Sequence, residues 1–313
     1  VRAASLQRVL QAVLLVGTPF ALADCSSCPD NGASPPVSKS HAVSPDLAGG
    51  GPLDAQQCEQ VCRLDFEGPV VTCVRESAES VLCLTQPAAC EGRRPIGLKR
   101  AVHGARTGFD CHLAESAWLE AASVDAFRIL RRELRAAGAP RRLLRAASRS
   151  ARDERRHARI AGALARRFGV TVPVVETDAA PRRSLAELAL ENAVEGCVRE
   201  TWGALIALRQ ASRASDSGVR TAMRRIAPDE ARHAELAWAI DRWLSPRLNA
   251  EQRREVRRAR RAALAELASE LRLELPATER TRLGLPGRDE AAVMCAELGR
   301  LIARENPKFA DLA

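Results

Sequence analysis

One five-residue pattern occurs twice in this chain, as Asp153-Glu154-Arg155-Arg156-His157 and as Asp229-Glu230-Ala231-Arg232-His233. The likeness extends outward, because Arg149, Ala151, Ala158 and Ala161 recur as Arg225, Ala227, Ala234 and Ala237, each 76 positions on. On an α-helix, residues three apart face the same way. Each Glu–His pair therefore presents a carboxylate oxygen and an imidazole nitrogen to one point. Asp153 and Asp229 stand one step earlier, turned by about 100°, and are expected beside that point rather than on it. Carboxylates buried together without a cation cost several kcal/mol per charge or must take up protons. A repeat of this kind predicts helices brought face to face around positive charge.

The doubled E-x-x-H resembles the ferritin-like di-iron carboxylate superfamily over roughly residues 112 to 245. The resemblance implies a mainly α fold, a ferritin-like four-helix bundle in which one further Glu from each of two more helices joins the two pairs. Glu120 lies 34 residues before Glu154, and Glu195 lies 35 before Glu230. The expected metal ligands are therefore Glu120, Glu154, His157, Glu195, Glu230 and His233, with Glu191 as an additional candidate. The resemblance implies two Fe ions as cofactor, with Mn or Zn as alternatives, and redox chemistry of the ferroxidase, peroxidase or oxygenase type. Oxygen or peroxide would be the small-molecule partner, and the sequence names no electron donor. Two other readings stay open: a protein that binds metal without turnover, and a structural protein that keeps the bundle for partner contact. A chelator would leave only the last unaffected. The histidines must be neutral to bind, so affinity is expected to fall below about pH 6. The chain has no tyrosine, which excludes a tyrosyl radical or a Tyr ligand.

Periodicity places the motifs on helices. Leu113, Ala117, Glu120, Val124 and Phe127 share one face of a first helix, whereas Glu115 falls off it and reads as solvated. Gly138-Ala139-Pro140 closes that helix, and a second runs from Pro140 to Phe168. A long connection to Pro181 leads to a third, about Ser184 to Ser215, where Leu188, Val198 and Trp202 mark the buried side. Glu191 and Glu195 fall on that side, and Glu200 lies well round from it. The fourth helix, about Val219 to Leu244, contains Pro228, which is expected to kink or restart it. Residues 112–246 thus form the bundle and 247–313 a helical extension. In the extension, the arginine run of a fifth helix (about 250 to 275) reads as a solvated face. A last helix over 289–304 carries Cys295, which either pairs with Cys197 or stays buried.

Ten cysteines bear on the compartment, eight of them between Cys25 and Cys111. Arg2, Arg8, a short apolar run and Ala21-Leu22-Ala23 have the form of a signal peptide over residues 1–23. A lipoprotein anchored at Cys25 is the alternative, and the only route to membrane attachment. Residues 24–57 read as a Pro/Ser/Gly-rich linker, and 58–111 as a Cys-rich segment without clear period. Clustered cysteines beside an export signal favour structural disulfides in an exported protein, whether periplasmic, secreted or cell-surface. A metal or redox centre on Cys25-x-x-Cys28 would want a second C-x-x-C, which is missing. Net charge is +9, almost all of it from Arg, but aromatics make up 3%. With so little to stack on bases, no nucleic acid is expected as a partner.

Overall fold

The structure is a computed structural model. It describes residues 107–179, 181–270 and 275–304. Shorter stretches are described before these: 38–42, 70–75, 79–85, 93–99 and 103–105, with residues 57, 61 and 77. The leader, the cleavage site and Cys25, Cys28, Cys58, Cys62 and Cys90 lie outside the described residues.

The chain is mainly helical. Helix α1 (Gly108–Ala136) starts where the Thr107 side chain accepts from the Asp110 N–H at 3.1 Å, and it ends ahead of Gly138. Helix α2 (Arg141–Arg167) follows Pro140 and stops before Gly169. Helix α3 (Leu185–Glu191) opens on a reciprocal cap, Ser184 accepting from the Glu187 amide and Glu187 from that of Ser184. It passes without interruption into a π-helical segment (Asn192–Glu200) and then α4 (Thr201–Arg213). Helix α5 (Ser217–Leu244) is capped by Asp216, which accepts from Gly218 N and Val219 N. It runs through Pro228 as one helix. Helices α6 (Ala250–Glu270), α7 (Ala277–Leu283) and α8 (Arg288–Arg304) complete the described chain. The arginine-bearing helix is described as far as Glu270, and the expected stretch to about 275 runs on into residues outside the described ones; the short α7 has no counterpart in the periodicity.

Three apolar clusters show how these helices pack. One joins Phe127, Leu130 and Leu134 of α1 to Leu143 and Ala147 of α2, Leu188 of α3 and Ile240 of α5. A second joins Phe109 and Leu113 of α1, Leu164 and Ala165 of α2, Ala207 of α4, and Met223 and Ile226 of α5. Each long helical run therefore spans both clusters, α1 and α5 in one direction, α2 and the α3–π–α4 run in the other. The connection 170–184 must return from the second cluster to the first. Between the two apolar layers, on every run, lies a middle layer of acidic and imidazole side chains. A third cluster packs Ala263, Leu267, Met294, Leu298 and Leu301 of α6 and α8 against Trp202, Leu205 and Trp238. Cys197 and Cys295 are both buried there. Cys197 remains a thiol whose sulfur lies 4.0 Å from Ala237 O, so the two do not pair.

The stretch before α1 corrects two expectations. Strand β1 (Ser38–Ala42) lies inside the segment read as a linker, and β2 (Val70–Arg75), β3 (Ser80–Thr85) and β4 (His103–Ala105) lie in or near the one read as lacking period. The sheet order is β1-β3-β2-β4, antiparallel except for β2 beside β4. Val70, Val71, Thr72 and Val74 favour a strand by β-branching, but strands this short carry too few residues for an alternation to be read. Register sets Cys73 opposite Cys83. Residues 93–99 then lie along the 170–184 connection, with Lys99 N donating to Glu176 O and Asp178 N to Gly97 O, both at 2.8 Å. Gly97 has φ +76°, and a Cβ there would stand 2.5 Å from Asp178 O, so only glycine fits.

Candidate metal centre

The middle layer brings together Glu120 of α1, Glu154 and His157 of α2, Glu200 at the end of the π segment, and Glu230 and His233 of α5. All six are at most 2% exposed. Two overlapping groups have the compactness a metal ion needs: Glu120, Glu154, His157 and Glu230, and then Glu200, Glu230 and His233. Glu230 belongs to both.

His157 Nδ1 lies 3.2 Å from Glu120 Oε2 and 2.9 Å from Glu230 Oε1. His233 Nδ1 lies 2.9 Å from Glu154 Oε1, 3.5 Å from Glu230 Oε1 and 3.9 Å from Glu200 Oε2. These approaches lack hydrogen-bond geometry. Glu120 Oε2, both oxygens of Glu154, Glu200 and Glu230, both nitrogens of His233 and His157 Nδ1 are buried without a hydrogen-bond partner. One donor atom from each residue crowds with its neighbours without bonding them, as ligands around a shared point do; His233 Nε2 faces Asp153 instead. Buried polar atoms are otherwise nearly always paired, so the donor set fits a cation and could hold a metal ion.

Electrostatics agree. Burial lowers the basicity of His157, but Glu120 and Glu230 outweigh it and raise the imidazole to about 10. Burial likewise opposes the charge on His233, and Glu230 and Glu154 carry it well above its ordinary value. Burial, then Glu230 and Glu120, push Glu154 well up, and burial lifts Glu200 to about 8. The cavity demands positive charge, and protons supply it where no other cation does.

Each aspartate of the repeat serves the histidine of the other copy. His157 Nε2 lies 3.1 Å from Asp229 Oδ2, and His233 Nε2 lies 3.7 Å from Asp153 Oδ2. With Nε2–H donating to Asp229, loss of the other ring proton to an incoming cation would leave Nδ1 as the lone-pair nitrogen facing the cluster. Arg156 bonds Asp153 at 3.1 Å and also Asp229; Arg232 bonds Asp229 and reaches Asp153 at 3.5 Å. The four side chains form a closed ring of alternating charge, with the aspartates buried and the arginines about half exposed. Burial would raise Asp153, but His233 and Arg156 hold it down at about 2.

Five of the six sequence-read ligands meet here, and Glu195 does not. Its Oε2 accepts from Arg94 N at 3.1 Å, and its carboxylate lies 3.9 Å from Arg199 Nε. Glu191 is also elsewhere, held by Arg93 at 2.6 and 2.7 Å and by Arg183 at 3.2 Å. Glu200 occupies the position assigned to Glu195, and the π segment is the reason. A π turn holds one residue more than an α turn, which slips the phase of everything after it by about 100°. In an unbroken α-helix Glu200 would stand about 120° from Leu188; the slip brings it to about 20°. Gly196 permits the segment's close approach to α5, since a Cβ there would lie 2.8 Å from Ala237 Cβ.

Two further readings change. Glu115 is buried, not solvated. Arg93, which no periodicity marks, is 1% exposed, grips Glu191 and Asn192 where the π segment begins, and lies 5.9 Å over the Phe127 ring. Phe127 in turn packs on His233, ring centroids 5.0 Å apart. Among the described residues no helix is long and apolar enough to cross a membrane. A scan of protein-family models finds no match to this chain, and searches of curated proteins and of solved structures likewise find none.

Proposed function

We propose that this chain is a ferritin-like four-helix-bundle protein that holds two metal ions, iron in the first instance, and uses them in redox chemistry on oxygen or peroxide. The observation that carries the reading is the set of ten buried oxygen and nitrogen atoms on Glu120, Glu154, His157, Glu200, Glu230 and His233 that no hydrogen bond satisfies. Two overlapping groups that share Glu230 favour two ions over one, and Glu230 would help to hold both. Four carboxylates and two imidazoles are a donor set suited to iron or manganese. Bound there, a metal pair would supply electron exchange with a small oxidant.

The protein's own residues bind, orient and exclude water. Asp229 fixes the His157 tautomer, so Nδ1 is the nitrogen offered to a metal. The Asp–Arg ring and the apolar layers on either side keep bulk water from the carboxylates. Such sealing favours small reactants: dioxygen, hydrogen peroxide or the metal ion itself.

Elemental analysis of the purified full chain, beside Glu154→Ala and Glu230→Ala, tests this. About two irons or manganese per chain, lost in both variants, would support the centre. Oxygen uptake by the ferrous-loaded protein would then support redox turnover. No metal in any sample, with thermal stability unchanged by a chelator, would overturn the metal reading. Loading without any consumption of oxygen or peroxide would leave a metal-binding protein.

A further inference from the structure

Outside the cluster, a groove of about 710 Å³ runs along the seam of α2 and α5. Arg156, Arg159, Arg167 and Arg225 line it, and no carboxylate does. Arginine on a helix surface is ordinarily solvated and matched by nearby acids. Here Arg159, Arg167 and Arg225 have no carboxylate within 4.0 Å among the described residues, while Ile160, Leu164 and Ala222 give the groove an apolar floor.

The two helices run antiparallel, His157 lying against Asp229 and Arg167 against Gly218. Arg156, Arg159 and Arg225 therefore gather at the end next to the acidic cluster. Arg159 spends only Nε, on Arg155 O at 3.1 Å, and keeps its terminal nitrogens for a ligand. The opposite end is different. Arg167 stacks over Phe168, and the Asp216 carboxylate caps α5 there. That carboxylate disfavours a second anionic group. The separation of Arg156 from Arg167 along α2 is about 16 Å, and the volume suits a small molecule rather than a macromolecule. The lining holds no aromatic on which a base could stack.

We infer that this groove binds an amphipathic monoanion, a carboxylate on an apolar chain, with the carboxylate held by Arg159 and Arg225 and the chain lying along Ile160, Leu164 and Ala222. Guanidinium forks match a carboxylate in charge and in bidentate geometry. The head group would sit one residue's reach from Arg156, whose guanidinium bonds Asp153 and Asp229, so the ligand would lie beside the candidate centre. The inference does not depend on metal being bound there.

Calorimetric titration of the full chain with monomeric decanoate tests it, with decanol, inorganic phosphate and phosphatidylglycerol vesicles as comparison probes. Arg159→Ala/Arg225→Ala removes the head-group site at exposed positions. Arg254→Ala/Arg258→Ala on α6 removes equal charge elsewhere. Decanoate should bind the wild type and the α6 variant alike and the groove variant about tenfold or more weakly. Decanol and phosphate should each bind at least about tenfold more weakly than decanoate. Equal affinity for decanol would reduce the groove to an apolar cleft, and equal affinity for phosphate would remove the floor from recognition; either overturns the inference. So does an unchanged groove variant. Binding of vesicles without binding of monomeric decanoate would assign the arginines to a lipid surface instead.

Discussion

The His157 imidazole bonds through Nε2 to Asp229 Oδ2 at 3.1 Å, although the two residues belong to different copies of the repeated motif. The reciprocal pair, His233 and Asp153, stands at 3.7 Å, beyond hydrogen-bond reach. The repeat is thus crossed in space, and its two halves are unequally tightened. Partners that fix the tautomer and basicity of a metal-binding histidine are worth about 10–100-fold in affinity. Asp229→Asn should therefore weaken metal binding within that range, and Asp153→Asn by less. A chelator-competition titration of both variants checks the order. Equal effects, or none, would mean that the aspartates serve only the arginine ring.

The placement of Glu200 separates two readings of the third helical run. Glu200→Ala should lower metal affinity by about 100-fold or more, since it removes a candidate ligand rather than a supporting partner. Glu195→Ala should leave metal content unchanged, because that carboxylate is engaged with Arg94 and Arg199. Metal counted per chain in the two variants decides the matter, and loss in Glu195→Ala with retention in Glu200→Ala would restore the symmetric ligand set.

What the sequence makes legible here is what period 3.6 makes legible. Glu120 stands out because its helix face is otherwise apolar, and the Glu–His pairs stand out because they occur twice. Glu200 is hidden because an inserted residue leaves no mark on composition. The near-equal spacings, 34 and 35 residues, make Glu195 look like the counterpart of Glu120, although its carboxylate lies with Arg94 and Arg199 rather than in the cluster. Pro228 predicts a break, yet α5 continues through it within the packed layers around Ile226 and Leu236. Arg93 is hidden for another reason: its partner Glu191 is 98 residues away, a distance over which no local pattern carries information. The strands before α1 are illegible because they are only three to six residues long.

Arg93 ties the segment before α1 to the start of the π segment. It is almost fully buried, bonds Glu191 through two nitrogens, and its charge is stabilised by Glu191 against the cost of burial. Removing one partner of such a pair strands the other. Arg183 still reaches Glu191, which softens the loss. Arg93→Ala should destabilise the fold by about 2–3 kcal/mol. The Arg93→Ala/Glu191→Gln double variant should lose less than the sum of the two single variants. Urea unfolding of the three variants measures the coupling, and strict additivity would mean that the pair contributes through packing alone.

His112 offers a test of stability against pH that is separate from the cluster. Its Nε2 lies 3.3 Å from the side-chain amide of Gln210, which is fully buried, and burial lowers its pKa to about 4. The amide can donate to the neutral ring but not to the cation. Below the ordinary value of 6.5 the unfolded chain takes up a proton that the folded chain refuses. Stability should therefore fall as pH drops from about 6.5 towards 4, and level off once the folded ring also protonates. The ring is only partly buried, so the loss is on the order of 2 kcal/mol rather than the full value of the shift. Urea unfolding at pH 7 and pH 4.5 should show a smaller decline for His112→Gln than for the wild type, because glutamine has no proton to gain. Equal declines would place the acid sensitivity in the carboxylates alone, and a ring-proton titration of His112 by NMR with a midpoint near 6.5 would show that the ring is solvated.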